Sequence, residues 1–279
     1  MPVSMRTHSL SVDRVRRHLA AAFSDPFKKE QKMIPISTRD AAAQRRATLL
    51  RRIGAVAVAA AAVFGYQRIV NSAEPMRTVP APTLDETAGA SHEETAVLAG
   101  GCFWGVQGVF EHVKGVKQVT AGYAGGASET AHYALVGSGL TGHAESVRIV
   151  YDPTQITYGR LLQVFFSVAH DPTELNRQGP DEGSQYRSAI FPTTAQQRAV
   201  ATAYIAQLGT AHVFAAPVVT RVEDYKGFYP AETYHQNYLE LHPDAPYIAF
   251  NDLPKVAGLK QRFPALYRSD AVLWRDARS

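Results

Sequence analysis

The chain has 279 residues, with 29 Lys and Arg against 25 Asp and Glu, 46% hydrophobic and 19% charged residues. This usage excludes wholesale disorder, collagen and coiled-coil arrays, and the length allows one or two domains around a sizeable core. A single cysteine excludes an intramolecular disulfide, a CxxC pair and a multi-cysteine zinc site. The net charge of +4 is unevenly spread: residues 1–73 hold 13 basic and 4 acidic residues, leaving 16 basic and 21 acidic for the rest. The basic character belongs to a leader and the body is mildly acidic, which argues against a nucleic-acid face.

In chain order, residues 1–52 read as a disordered basic leader. Arg45, Arg46, Arg51 and Arg52 then precede an apolar Ala/Val-rich stretch, IGAVAVAAAAVFGY, closed by Arg68. About 14 apolar residues suit a secretory h-region and fall short of the ~20 that span a bilayer upright. Residues 53–73 are therefore expected to be a signal peptide or signal anchor, with Asn71-Ser72-Ala73 as the cleavage candidate. Residues 53–67 could serve as a membrane tether, and the alternative is a buried Ala-rich helix. Met33 offers a start that would give a conventional basic n-region. Residues 74–92, rich in Pro, Thr, Ala and acid, read as a flexible linker. The body is expected over 93–268 and a C-terminal tail over 269–279.

Within the body, TAVLAGG predicts a short buried strand ending in glycines. CFWGVQGVFEHVKG places Phe103, Val106, Val109, Phe110 and Val113 at helical spacing. The stretch 116–123 reads as a strand running into the GYAGG turn, and AESVRIVYDP alternates clearly as a strand. ITYGRLLQVFFSVAHDP predicts an amphipathic helix stopped before Pro172. YRSAIFP reads as a strand, TAQQRAVATAYIAQLG as a helix capped by Thr194 and stopped by Gly209, and APVVTRVEDY as a last strand. Strands and helices thus alternate through one α/β or α+β domain.

Cys102, in Gly100-Gly101-Cys102-Phe103-Trp104-Gly105, falls between a predicted strand and a predicted helix. Unpaired N–H groups and the helix dipole there favour an anion, so a lowered thiol pKa and an enriched thiolate are expected. A buried cysteine packed as a small hydrophobe is the alternative. On their own, Glu145 reads as a solvated strand residue, Tyr133 and Tyr186 as core-edge aromatics, and Asp181 as a turn residue. His143, His170 and His235 read as structural.

The strings GGCFWG, GYAGG, TGHAESV, HDPTELNRQGPDEGSQYRSAIF and FYPAETYHQNYL, in this order, resemble the A-type peptide methionine sulfoxide reductases. The resemblance covers roughly 93–268. It implies an α+β fold, a split ferredoxin-like α/β sandwich with long coil segments. It implies reduction of methionine S-sulfoxide, free or in oxidised proteins, as protein repair. Cys102 matches the nucleophile and Glu145 the acid that protonates the sulfoxide oxygen. Tyr133 and Tyr186 match the tyrosines that hold that oxygen, Asp181 an acidic residue of the same pocket, and Phe103 and Trp104 the cage around the substrate methyl. No bound cofactor or metal, no nucleic acid and a monomer are expected. Many relatives carry further cysteines near the C-terminus that resolve the sulfenic acid; this chain has none, and its tail is similar to that of single-cysteine members. Turnover then calls for an outside thiol: a thioredoxin-like protein, a glutathione system or a small dithiol.

Two other readings compete. One is a papain-like cysteine hydrolase using Cys102, His235 and Asn237, whose local cysteine signature does not match. The other is a catalytically silent module that recognises methionine. The leader and apolar stretch suggest a catalytic domain outside the cytoplasm, periplasmic or membrane-anchored, with a cytoplasmic protein as the alternative.

Overall fold

In the computed structural model, residues 50, 54, 76–87 and 92–275 are described. The leader, the apolar stretch and the cleavage candidate lie outside the described residues, apart from residues 50 and 54. Among the described residues no helix is long and apolar enough to cross a membrane. Residues 76–87 and 92–275 belong to one compact unit, Val63–Ser279.

The chain forms β1 (Glu94–Gly100), α1 (Phe103–Glu111) and β2 (Val116–Ala124). A short α2 (Tyr133–Val136) precedes β3 (Ala144–Tyr151), and α3 (Tyr158–Val164) continues as a π turn over Phe165–Ala169. The two-residue strands β4 (Arg177–Gln178) and β5 (Asp181–Glu182) pair with each other, and β6 (Ser188–Ile190) follows. Then come α4 (Ala195–Thr210), β7 (Arg221–Val222), β8 (Phe228–Pro230) and α5 (Tyr238–Leu241). A second π turn, Ile248–Asp252, leads into α6 (Leu253–Arg262).

The main sheet has the order β7-β6-β1-β3-β2-β8. Strands β1 and β2 are both antiparallel to β3, which lies between them, so α1 crosses over a strand from β1 to its parallel mate β2. In the same way β3 and β6 flank β1, with α3 in the crossover. Two interleaved split β-α-β units are the ferredoxin-like arrangement, so the expected α+β class holds. β1 is buried on both faces: Ala96 and Leu98 enter the main core under the helices, and Val97 and Ala99 a smaller cluster with Ala189 and Phe191 on the other face. A strand covered on both sides reads as a continuous apolar run, as TAVLAGG does.

Several expectations are corrected. The segment read as a flexible linker is, over 76–87, a packed strap. Val79 is buried; its N–H donates to Ser167 Oγ (3.2 Å) and its carbonyl accepts from Gln163 Nε2 (2.8 Å). The Tyr204 hydroxyl donates to the Pro80 carbonyl (2.6 Å), and Asp85 accepts the Gly159 N–H at the start of α3 (2.8 Å). The prolines that read as linker composition hold the strap extended against the body. Gly209 does not stop α4, which runs to Thr210; the chain turns away at His212, with φ +48°. Of the strand expected over 216–225 only Arg221–Val222 pairs, parallel to β6, while the Val219 N–H bonds outside the sheet to the Pro172 carbonyl. The expected tail is anchored where described: the Val272 N–H donates to the Glu111 carbonyl, and the Trp274 N–H to Asn237 Oδ1 (2.8 Å).

Candidate active site

The site is built where β1 hands over to α1. Gly101 takes φ +87°, a left-handed turn that a Cβ would disfavour, and an added Cβ would also press on the Gln178 side chain at 2.5 Å. This turn sets Cys102 at the N-cap of α1. Gly105, one turn on, is covered by the buried carboxyl of Asp252, which occupies the space a side chain would need. The second π turn delivers Asp252 there, and Lys255 Nζ pairs with its Oδ1 at 3.3 Å.

Cys102 is buried, and its thiol pKa is raised, not lowered as expected. Burial is the main cause, followed by the carboxyls of Glu145, Asp252 and Asp181; the backbone N–H of Trp104 acts in the lowering direction and is outweighed. One exposed helix N-terminus lowers a thiol pKa, but three nearby carboxyls in a desolvated pocket reverse the sign.

Glu145 stands on β3 directly across from Tyr123 and is almost fully buried. Its Oε2 accepts the Phe103 N–H at 3.1 Å. Burial, with smaller contributions from Asp181 and Asp252, pushes its pKa up to about 8. A carboxyl read from sequence alone as a solvated strand residue is therefore a neutral acid near pH 7.

Tyr133 opens α2 and is half-buried; burial, then Glu145 and Cys102, raise its pKa to about 12. Tyr186 closes the 3₁₀ turn Ser184–Tyr186, and burial followed by Glu145 and Asp181 raises its phenol too. Both phenols therefore keep their protons as donors. Asp181, on β5, accepts from the Tyr247 hydroxyl and is raised mainly by burial. Phe103 and Trp104 form the apolar wall: Trp104 stacks on Tyr238 at 3.9 Å and meets the Tyr247 ring edge-on at 5.9 Å. Cys102, Glu145, Tyr133, Tyr186 and Asp181 thus lie close enough to act on one another electrostatically, and Phe103 and Trp104 follow Cys102 in the first turn of α1.

Sequence reasoning missed four further members. Glu232 accepts the Tyr123 hydroxyl on Oε2 (2.8 Å) and the Tyr133 N–H on Oε1 (3.0 Å). Tyr247 and Asp252 come from a stretch that reads as coil. His235, set aside as structural, packs on Phe103 (5.1 Å) and Tyr133 (4.3 Å), and its Nδ1 accepts the Trp104 indole N–H at 3.2 Å. That bond places the proton of the neutral ring on Nε2. His143 and His170 are structural, the first in the 126–143 turn, the second between the Phe165 carbonyl and Ser188 Oγ. The hydrolase triad does not assemble: Nδ1 of His235 is engaged by Trp104, and Asn237 pairs with the Trp274 backbone. Among the described residues no group of three or more His, Cys, Asp or Glu side chains could hold a metal ion.

A family model for peptide methionine sulfoxide reductases matches residues 94–266. The chain is 61% identical over 190 residues to peptide methionine sulfoxide reductase MsrA 2 of Mesorhizobium japonicum, covering 68% of this chain and 97% of the relative. It is 51% identical to MsrA 2 of Synechocystis, covering 67% and 89%. The crystal structure of reduced Mxr1 from Saccharomyces cerevisiae is 31% identical, covers 57% of this chain and 91% of its own, and superposes with a TM-score of 0.50.

Proposed function

This chain belongs to the A-type peptide methionine sulfoxide reductases and reduces methionine S-sulfoxide in the repair of oxidised proteins; from that premise we propose that it works through Cys102 alone, with Glu145 as a proton carrier. The observation that carries the reading is the chain's one thiol, buried at the N-cap of α1, beside the buried carboxyl of Glu145, which accepts the next residue's N–H at 3.1 Å; burial raises the pKa of both groups.

The sulfoxide methyl sits against Phe103 and Trp104, and its oxygen faces Glu145 and the Tyr133 and Tyr186 hydroxyls. Those phenols are aimed before reaction, so they stabilise charge as it develops without reorganising. Glu145 gives its proton to the oxygen while Cys102 Sγ attacks sulfur, and the thiol proton returns to Glu145. The Sγ–S bond made in the attack and the substrate S–O bond then break as the Sγ–O bond forms, so sulfoxide plus thiol gives methionine plus Cys102 sulfenic acid. No net proton enters or leaves, which suits a buried site that holds two neutral acids. Because the 279 residues contain no second cysteine, a thioredoxin-like protein, a glutathione system or a small dithiol regenerates the thiol.

The direct test is to incubate a methionine sulfoxide peptide with the protein and dithiothreitol and read the mass. Loss of one oxygen is expected; chain cleavage or an unchanged peptide overturns the reading. Cys102→Ser should abolish the reaction. Without a thiol, one equivalent of methionine per enzyme and a dimedone adduct on Cys102 are expected.

Export of the catalytic body is part of the same proposal. Its support is the basic run before residue 53, the apolar stretch after it and the acidic balance beyond residue 73. Fractionation of expressing cells, then N-terminal sequencing, should find the protein outside the cytoplasm, cleaved near Ala73 or tethered. An intact soluble cytoplasmic protein retaining residues 53–66 refutes it.

A further inference from the structure

Three of the sequence strings meet at one buried guanidinium. Arg187 directly follows Tyr186, and its side chain is 8% exposed. All five of its N–H groups donate. Nε and Nη2 hold the two carboxylate oxygens of Glu223 at 2.8 and 3.0 Å, a bidentate pair. Nη1 donates to the carbonyls of Ser184 (2.9 Å) and His143 (3.1 Å), and Nη2 to that of Gly142 (3.0 Å). Ser184 opens the 3₁₀ turn that ends at Tyr186. Gly142 and His143 are the two residues before β3, whose second residue is Glu145. One planar group therefore joins the turn that carries the phenol to the strand that carries the acid.

The GYAGG string makes room for this junction. Gly125 takes φ +98°, and a Cβ there would press on Arg187 Nη2 at 2.9 Å and on the Gly142 carbonyl at 3.0 Å. A Cβ on Gly126 would meet the His143 ring at 2.4 Å. Glu223 is placed by its own backbone, whose N–H donates to the Ile190 carbonyl at the end of β6 (2.9 Å). The fork is thus anchored in the main sheet. With every N–H engaged, the guanidinium has no donor left for substrate.

We propose that Arg187, held by Glu223, is a positioning residue for the reduction: it fixes the Tyr186 hydroxyl and the Glu145 carboxyl relative to one another so that both meet the sulfoxide oxygen. The inference rests on the reading that Tyr186 and Glu145 serve that oxygen. A guanidinium suits the task because its five donors lie in one plane with fixed directions, whereas an ammonium has three donors and no fork. Donors aimed in advance lose their value when displaced; a shift of about 1 Å can cost about 10²-fold in rate.

The test uses the full chain and a methionine sulfoxide peptide without thiol, with methionine formation timed over a range of peptide concentrations. Glu223 is partly exposed, so Glu223→Gln is the mild variant; it keeps the side-chain shape and replaces one accepting oxygen with a donor. It should lower the saturating single-turnover rate about tenfold and leave the half-saturating peptide concentration within about threefold, since the apolar wall is untouched. Arg187→Lys keeps the charge and loses the fork, so it should fall about a hundredfold and fail to rescue. In the Glu223→Gln background, Tyr186→Phe should cost about twofold or less, because a displaced phenol has little left to lose. Tyr133→Phe, on α2, should cost as much there as in the otherwise wild-type chain. An unchanged rate in Glu223→Gln, a wild-type rate in Arg187→Lys, fully multiplicative losses for Glu223→Gln with Tyr186→Phe, or an equal shrinkage for Tyr133→Phe overturns the proposal. If Arg187→Lys does not fold, the Glu223→Gln series decides alone. If Tyr186→Phe costs nothing in the otherwise wild-type chain, the reading of Tyr186 as an oxygen donor fails instead.

Discussion

The backbone N–H of Phe103 donates to Oε2 of Glu145 across 3.1 Å, tying the first residue of the nucleophile's helix to the acid on β3. This bond acts toward lowering the Glu145 pKa, yet burial outweighs it and the group titrates at about 8. The same contact that aims the carboxyl therefore leaves it protonated near neutrality.

Glu145→Gln keeps the size of the side chain and removes the transferable proton, so the single-turnover rate should fall about 10²–10⁴-fold with the fold retained. In the wild type the rate should be flat through pH 7 and fall as pH rises past about 8, because the acid is then lost. Tyr133→Phe or Tyr186→Phe should each cost less, since the remaining donor still holds the oxygen. A single Tyr→Phe change that costs more than Glu145→Gln would reassign the proton donor.

Glu232 touches Tyr133 only through its backbone N–H and Tyr123 through its hydroxyl, so it acts by placing α2. Glu232→Ala should lower kcat/KM by roughly tenfold, the scale of one or two lost positioning hydrogen bonds. If it works through Tyr133, the double variant Glu232→Ala/Tyr133→Phe should be little worse than the poorer single variant. Fully additive losses in that cycle would assign Glu232 a separate role.

The legible part of the protein is the part governed by local pattern. β3 alternates because one end meets water, and α1 repeats apolar residues at 103, 106, 109 and 110 that join the main core, with Val113 following just past its end. Cys102 could be placed between a strand and a helix from those patterns alone. The sign of its pKa shift could not, because it is set first by burial and then by carboxyls from residues 145, 252 and 181, and only the fold supplies either. Glu145 is the same case: alternation on β3 says strand, while the fold buries its carboxyl and brings the Phe103 N–H to it. The strap escaped because its attachments are backbone groups and one buried valine, features that composition does not record. Tyr247 and Asp252 escaped because a π turn shifts register within a short helical stretch and carries no apolar period of its own.

Thr157 and Asp85 share the cap of α3: Thr157 Oγ1 accepts the Arg160 N–H at 3.3 Å, and Asp85 Oδ1 accepts the Gly159 N–H at 2.8 Å. Asp85→Ala should cost about 1 kcal/mol, the usual worth of a helix cap, and lower Tm by about 2–4 °C. A chain beginning at Glu93 loses the buried Val79 side chain as well and should be destabilised by a further ~2 kcal/mol. Equal thermal midpoints for chains beginning at residue 74 and at residue 93 would return the strap to the status of a linker.

Glu111, the last residue of α1, is fully buried, and neither carboxyl oxygen has a hydrogen-bond partner among the described residues. Burial, then the charge of Glu240, pushes its pKa up to about 8. The unfolded chain releases this proton near pH ~4.3, so the folded state holds more protons over the interval between. Stability from this group is fully present below pH ~4.3, declines by up to about 1.4 kcal/mol per pH unit as pH rises, and levels off above about 8. Glu111→Gln fills the same space without a titrating proton and removes that slope. Near pH 4 the variant should match the wild type to within about 1 kcal/mol. By pH 9 it should be more stable by about 4–6 kcal/mol, measured by urea unfolding across the range. Parallel stability curves for the two proteins would show that Glu111 does not titrate in this window, and that its burial is relieved by a partner other than a proton.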